Sequence, residues 1–361
     1  MKIGILTFHR AINYGAVLQC YALYTTLNGM GHDVEVVDYR PAYIEKYRKL
    51  HDLSSKKNIF SAIRIMLRSL MLYKGRRMAV ERFDSFLKLL SLSPIVCEAK
   101  DVIAQGYDII ISGSDQIWNR KITAGQYDKF YWGQFKHPNT KFASYAASFG
   151  EISKSPELES DLKAMLPQVD AIGVREKDFA AYINDLGLKA NVCVDPTILV
   201  DEQAFHDLAE DPDSDDYILV YALKDRAKVV EWAKKMRQKE NLKIVVLGGN
   251  VSYKTDFGKD IEVIQGVSPR LFLGYFKKAR YVVNASFHGT VFSTLFRKNF
   301  YSLEVGNSGR YRQYLDSVGL SNRFVQYQSE PSFAPVDYSN FESNKKKLVS
   351  SSLEYLHELG I

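Results

Sequence analysis

Short apolar runs alternate with amphipathic stretches along almost the whole chain. Lys2–Phe8 (KIGILTF) reads as a buried strand, Ala16–Met30 as a helix ended by Gly31, and Val34–Tyr39 (VEVVDY) as a second strand. A basic stretch interrupts the pattern, which returns with predicted strands at Tyr107–Ser114, Lys141–Gly150 and Ala171–Glu176 and predicted helices near Pro156–Gln168 and Lys177–Leu186. The second half repeats the theme. Strands are expected at Tyr217–Leu223, Lys243–Gly249, Ile261–Gly266, Arg280–Ser286 and Phe300–Val305, with helices near Ala227–Glu240 and Leu271–Lys278 and another from Thr290. Nearly continuous apolar strands separated by helices predict parallel sheets covered on both faces. The fold class expected is therefore α/β, with two Rossmann-like domains.

A chain of 361 residues is more than one core comfortably fills. The expected division is an N-terminal domain over 1–200, with a basic helical insertion at 42–105, and a C-terminal domain over 217–335. The acid-rich stretch 201–216 reads as the linker. Residues 336–361 hold an amphipathic run, Leu348–Leu359, expected to pack back on the first domain.

Composition narrows the class. No apolar stretch approaches the length that spans a bilayer, and KIGILTF is too short for a signal-peptide core, so a cytoplasmic protein is expected. Cys20, Cys97 and Cys193 are scattered among apolar residues and read as buried, reduced thiols. The seven histidines show no metal-ligand spacing, and no metal site is expected. The formal net charge of +6 is unevenly placed: 42–82 holds eleven basic and three acidic residues, a local +8 that leaves −2 for the rest. No nucleic-acid module accompanies this stretch. Ile59, Phe60, Ile63, Met66, Leu67, Leu70 and Met71 recur at helical spacing beside Arg64, Arg68 and Lys74. That pattern suits peripheral contact with an anionic membrane, or a solvated basic face of a packed helix.

The richest local chemistry lies at 281–290 (YVVNASFHGT), where a strand stops at a small polar turn and a helix begins at once. Ser286 can cap that helix, Gly289 admits close approach, and His288 stands at its positive end, a place for phosphate or carboxylate. In open parallel sheets, ligands bind beyond the carboxyl ends of the strands. Asn13, Ser114, Arg175 and His288 all fall at such ends.

Five segments in order resemble the polysaccharide pyruvyl transferase family: Asn13–Gln19 (NYGAVLQ) with Tyr21–Leu23, Ser112–Asn119 (SGSDQIWN), Val174–Lys177 (VREK), Val194–Thr197 (VDPT) and Ser286–Gly289 (SFHG). The resemblance implies a GT-B-like arrangement with the site in an interdomain cleft. It also implies transfer of pyruvate from phosphoenolpyruvate onto two hydroxyls of a sugar, with release of phosphate and no further cofactor. The acceptor would be a sugar or a lipid-linked oligosaccharide of a cell-envelope glycan.

On that basis the donor is bound by Arg175 and, from the second domain, by Ser286, His288, Gly289, Thr290, Arg310 and Lys224, with Arg310 read as part of a loop. Arg175 alternatively pairs with a neighbouring carboxylate. His288 is the expected proton donor or phosphate contact, and Asp115 a candidate base or sugar-hydroxyl acceptor, the alternative being that Ser114 and Asp115 only form an Asx-type turn after a strand. Acceptor contacts are expected from Asn13, Tyr14, Gly15, Ser114, Asp115, Gln116 and Trp118. Tyr14 and Trp118 would stack on the sugar or else belong to the core, and Asn13 could simply cap the first helix. One departure stands out. Where the family commonly has TDSFHG, this chain has NASFHG, so Ala285 replaces a carboxylate able to orient His288. Two alternatives stay open: a nucleotide-sugar glycosyltransferase, with the loop Leu247–Asn250 (LGGN) as its mark, and an inactive sugar-binding relative.

Overall fold

The computed structural model describes residues 1–49, 59–135, 138–150, 154–248, 256–306 and 308–361, with backbone alone for 59–71. Two six-stranded parallel sheets form its centre. The first contains β1 (Lys2–Leu6), β2 (Asp33–Val36), β3 (Ile109–Asp115), β4 (Lys141–Ala147), β5 (Ala171–Val174) and β6 (Ala190–Val192), in the order β2-β1-β3-β4-β5-β6. The second contains β7 (Ile218–Ala222), β8 (Ile244–Gly248), β9 (Ile261–Gln265), β10 (Tyr281–Ala285), β11 (Asn299–Glu304) and β12 (Phe324–Gln326), in the order β12-β11-β10-β7-β8-β9. Both are doubly wound. Strand order reverses between β1 and β3 and between β7 and β10, and there the sheets open crevices at their carboxyl ends.

The central strands are almost fully buried, as their apolar runs require. The short edge strands β6 and β12, three residues each, escape the sequence pattern because they are half exposed and carry no period. The acid-rich stretch 201–216 is not all linker. It begins with a helix, Glu202–Leu208, whose Asp201 side chain accepts from Gln203 N–H and whose Phe205 is buried.

The domains share a continuous apolar core. Tyr14 stacks on Phe272 of the second domain with ring centroids 4.3 Å apart, and it also touches Phe83. Phe83 and Phe86 lie on one long helix, Ile59–Leu87, whose Arg82 donates to Gly266 O across the boundary at 2.7 Å. The C-terminal helix Phe341–Glu358 begins in the second domain's core at Phe341 and ends on the first sheet. There Tyr355 donates to Ser144 O at 2.7 Å, and the Ser352 hydroxyl accepts the Val194 N–H at 3.0 Å.

The basic stretch 42–82 is less uniform than its charge suggests. Arg48 is buried, bonded to Asp84 and to Arg10 O, so it is no part of a free basic face. Lys74 is exposed. Arg64, Arg68 and the apolar stripe Ile59, Phe60, Ile63, Met66, Leu67, Leu70 and Met71 have side chains outside the described residues, as do Gly249 and Asn250 of the LGGN loop. Among the described residues, no helix is long and apolar enough to cross a membrane. Cys20 and Cys193 are buried, but Cys97 is exposed, because it sits in the turn before the short helix Ala99–Ile103 and its N–H is taken by Asp101.

Candidate active site

A cleft of about 390 Å³ lies where the two crevices face each other. Its second-domain wall is built by β10 and the helix Phe287–Leu295. Asn284 is buried, and its Oδ1 accepts the Thr290 hydroxyl at 2.9 Å, which fixes the turn. Ser286 caps the helix by accepting the Gly289 N–H at 3.3 Å, and the first intrahelical bond runs from Thr290 N to Ser286 O. The N–H groups of Phe287 and His288 precede that bond, so they face the cleft's positive end. Lys224, exposed after β7, and Arg310 complete this wall.

Arg310 is on a helix, Gly309–Val318, not a loop. Tyr311, Tyr314, Leu315 and Val318 supply its buried face at helical spacing.

The first-domain wall presents Asn13, Asp115, Gln116, Asn119 and Lys121. Asn13 caps the helix Tyr14–Gly29, its Oδ1 accepting from Gly15 N–H at 3.0 Å. Asp115 ends β3 in the left-handed region at φ 75°, a conformation costing roughly 1–3 kcal/mol that clusters at functional sites. Its Oδ1 accepts the Gln116 N–H at 2.8 Å. Gln116 in turn accepts from Asn119 at 2.9 Å.

His288 is held from the first domain on both sides. Its Nε2 lies 3.4 Å from Asp195 Oδ2, an ion-pair distance without hydrogen-bond alignment. On the other side is Gly15, where a Cβ would lie 2.1 Å from His288 Nδ1. Asp195 is fully buried and collects further donors: Thr197 N and Oγ1 at 3.1 and 2.7 Å, Ser114 Oγ at 3.3 Å, and Arg175 Nη1 at 3.0 Å. Burial pushes this carboxyl up, but His288, Arg175 and Thr197 outweigh it and hold it well below the usual carboxylate range. Arg175 also reaches Glu176 Oε1 at 3.4 Å and stacks over Phe287, 4.5 Å from the ring centroid.

Several expected contacts therefore take other roles. Arg175 is buried behind His288, not in the cleft, so the alternative of pairing with a carboxylate describes its position. Tyr14 and Trp118 belong to the core and do not line the cleft. Tyr14 packs between the domains, and Trp118 stacks on Trp132 at 4.4 Å while donating to Tyr131 O. Ser114 is buried beneath Asp195. Gly289 and Thr290 face inward: a Cβ at 289 would meet Tyr221 at 2.9 Å, and Thr290 bonds Asn284, Ser286 O and Ser302. Asn13, Asp115, Gln116, Lys224, Ser286, His288 and Arg310 line one cleft.

Sequence reasoning missed Asp195 as a site residue, although its segment VDPT was visible. It supplies a carboxylate to His288 that the Ala285 position lacks. Asn119, Lys121 and Glu176 also went unassigned. Among the described residues, no three metal-ligating side chains cluster.

The chain is similar in fold to several solved structures. These include UDP-GlcNAc 2-epimerase from Methanocaldococcus jannaschii, at 11% identity and TM-score 0.48 over 97% of this chain and 93% of that one. The S. aureus MnaA–UDP structure aligns at 12% identity and TM-score 0.49 over 97% and 90%. The glycosyltransferase SnogD from Streptomyces nogalater aligns at 10% identity and TM-score 0.44 over 98% and 96%. Among curated protein sequences we found no match. The family model for polysaccharide pyruvyl transferase matches residues 13–307, a span that takes in both walls of the cleft and the Asp195–His288 pair, and the chain belongs to that family.

Proposed function

We propose that the protein transfers pyruvate from phosphoenolpyruvate to two hydroxyls of one sugar, forming a cyclic ketal and releasing phosphate. The observation that carries this reading is the pairing of walls: a histidine at a helix N-terminus, with cations, faces a carboxylate and amides across one cleft. The first set suits a small polyanion and the second a polyhydroxylated acceptor.

The donor's anionic groups meet the Phe287 and His288 N–H groups, Arg310 and Lys224. His288 gives a proton to the methylene carbon from Nδ1, the ring nitrogen that Asp195 leaves free and that Gly15 keeps uncovered. Electron deficiency develops at the carbon bearing phosphate. A sugar hydroxyl bonds there as Asp115 takes its proton. Phosphate departs with the C–O electron pair, and the second hydroxyl closes the ring while its proton leaves on phosphate. Exchange with water resets Asp115 and His288. Asp195 and Arg175 act as positioning residues.

The test is calorimetric titration of phosphoenolpyruvate into the wild type and into Arg310→Ala. Binding to the first and at least a tenfold loss in the second is expected. Absence of binding to the wild type overturns the donor assignment.

A further inference from the structure

Behind His288, a second cavity of about 60 Å³ lies between the domains, lined by Arg175, Glu176, Lys177, Asp195, Phe287 and Arg310 among others. Arg310 lines both this cavity and the cleft. Three buried polar atoms of these residues have no hydrogen-bond partner among the described residues: Arg175 Nη2, Arg310 Nε and Glu176 Oε2. The first two can only donate, and a carboxylate oxygen can only accept. Two guanidinium donors and one carboxylate acceptor without such a partner thus belong to residues that line one cavity. Glu176 is fixed in place through its other oxygen, which accepts from Ser148 at 2.5 Å.

An anion that only accepts hydrogen bonds would satisfy the arginines and leave Glu176 Oε2 facing it unpaired, a costly arrangement in a buried site. Hydrogen phosphate both accepts and donates. Its oxygens suit the two arginines, and its P–OH suits Glu176. The phosphate ester of phosphoenolpyruvate, doubly ionised near neutral pH, has no such proton.

We propose that this rear cavity is a binding site for orthophosphate, the released product, and that Glu176 selects it by accepting its proton. The inference rests on the transferase reading for the word product. The site itself is testable without turnover. Past Arg310, the leaving group would pass from the cleft into this cavity, clearing the front for the ketal.

The experiment is calorimetry of the wild type and Glu176→Gln with orthophosphate and, separately, with sulfate, which has the same shape but no proton at neutral pH. Wild type is expected to bind orthophosphate at least tenfold more tightly than sulfate. Glu176→Gln should bring that ratio close to one, because an amide can donate to either ion. Arg310→Ala should weaken both ions together, and a thermal melt within a few degrees of wild type checks that each variant is folded. Equal affinity of wild type for the two ions, or a preference that survives in Glu176→Gln, overturns the assignment. No binding of either ion also overturns it, and leaves the donor test above standing by itself.

Discussion

Gly15 and His288 pack against each other across the domain boundary so closely that a Cβ on residue 15 would lie 2.1 Å from the imidazole Nδ1. Two motifs far apart in the chain thus meet at one ring. Gly15 lies in the first turn of the helix Tyr14–Gly29, where its backbone needs no special freedom. Its value is the absent side chain. Gly15→Ala should therefore leave secondary structure intact, since alanine favours the helix by up to about 1 kcal/mol. Turnover should fall by on the order of 10²-fold, the scale of a displaced reacting group. Circular dichroism and steady-state rates on the same preparation check both halves.

Asp195 joins the two domains electrostatically. Asp195→Asn removes the charge facing Arg175 and His288, and breaking such a buried pair should cost about 3–5 kcal/mol in urea unfolding. The folded-state carboxyl is depressed relative to an unfolded value near 3.9, so its contribution is complete above that value. It is lost as pH falls through the folded-state value. The wild-type advantage over Asp195→Asn should accordingly shrink below about pH 4. A difference that stays constant down to pH 2 would contradict the linkage.

Much of the architecture was legible in the apolar periodicity, because long buried strands leave an unmistakable run. Strand β10 and the Ser286 cap are read directly from residues 281–290. The three-residue edge strands β6 and β12 left no such trace. The helix carrying Arg310 was hidden by two nearby glycines, Gly306 and Gly309, although Tyr311, Tyr314, Leu315 and Val318 hold the helical spacing. The site was legible as a set of motifs and not as a set of roles. Whether an aromatic such as Trp118 stacks on a ligand or on Trp132 is decided by tertiary packing alone. The same holds for Asp195, whose proximity to His288 depends on how two domains meet.

Ala285 lines the cleft. Since Asp195 already faces the imidazole, Ala285→Asp should not raise turnover. A second negative charge beside the anionic donor should instead raise its KM, by roughly tenfold for a partly buried repulsion near 1.4 kcal/mol. A gain in kcat would show that His288 lacks an effective partner in this chain.

The thiols report the fold independently. Cys97 is exposed, whereas burial pushes the Cys193 thiol up to about 12 and raises that of Cys20 as well. Ellman's reagent at pH 8 should react with Cys97 at once in native protein. Cys20 and Cys193 should react only after denaturation.

The most direct test incubates the protein with isotopically labelled phosphoenolpyruvate and a panel of glycosyl acceptors bearing free diols. The products are followed by mass spectrometry and by phosphate release. The account predicts that one acceptor gains a labelled pyruvate less one water, with one phosphate released per transfer. His288→Gln should fail to do this while remaining folded. Transfer of a glycosyl group from a UDP-sugar, with no label taken from phosphoenolpyruvate by any acceptor, would contradict it.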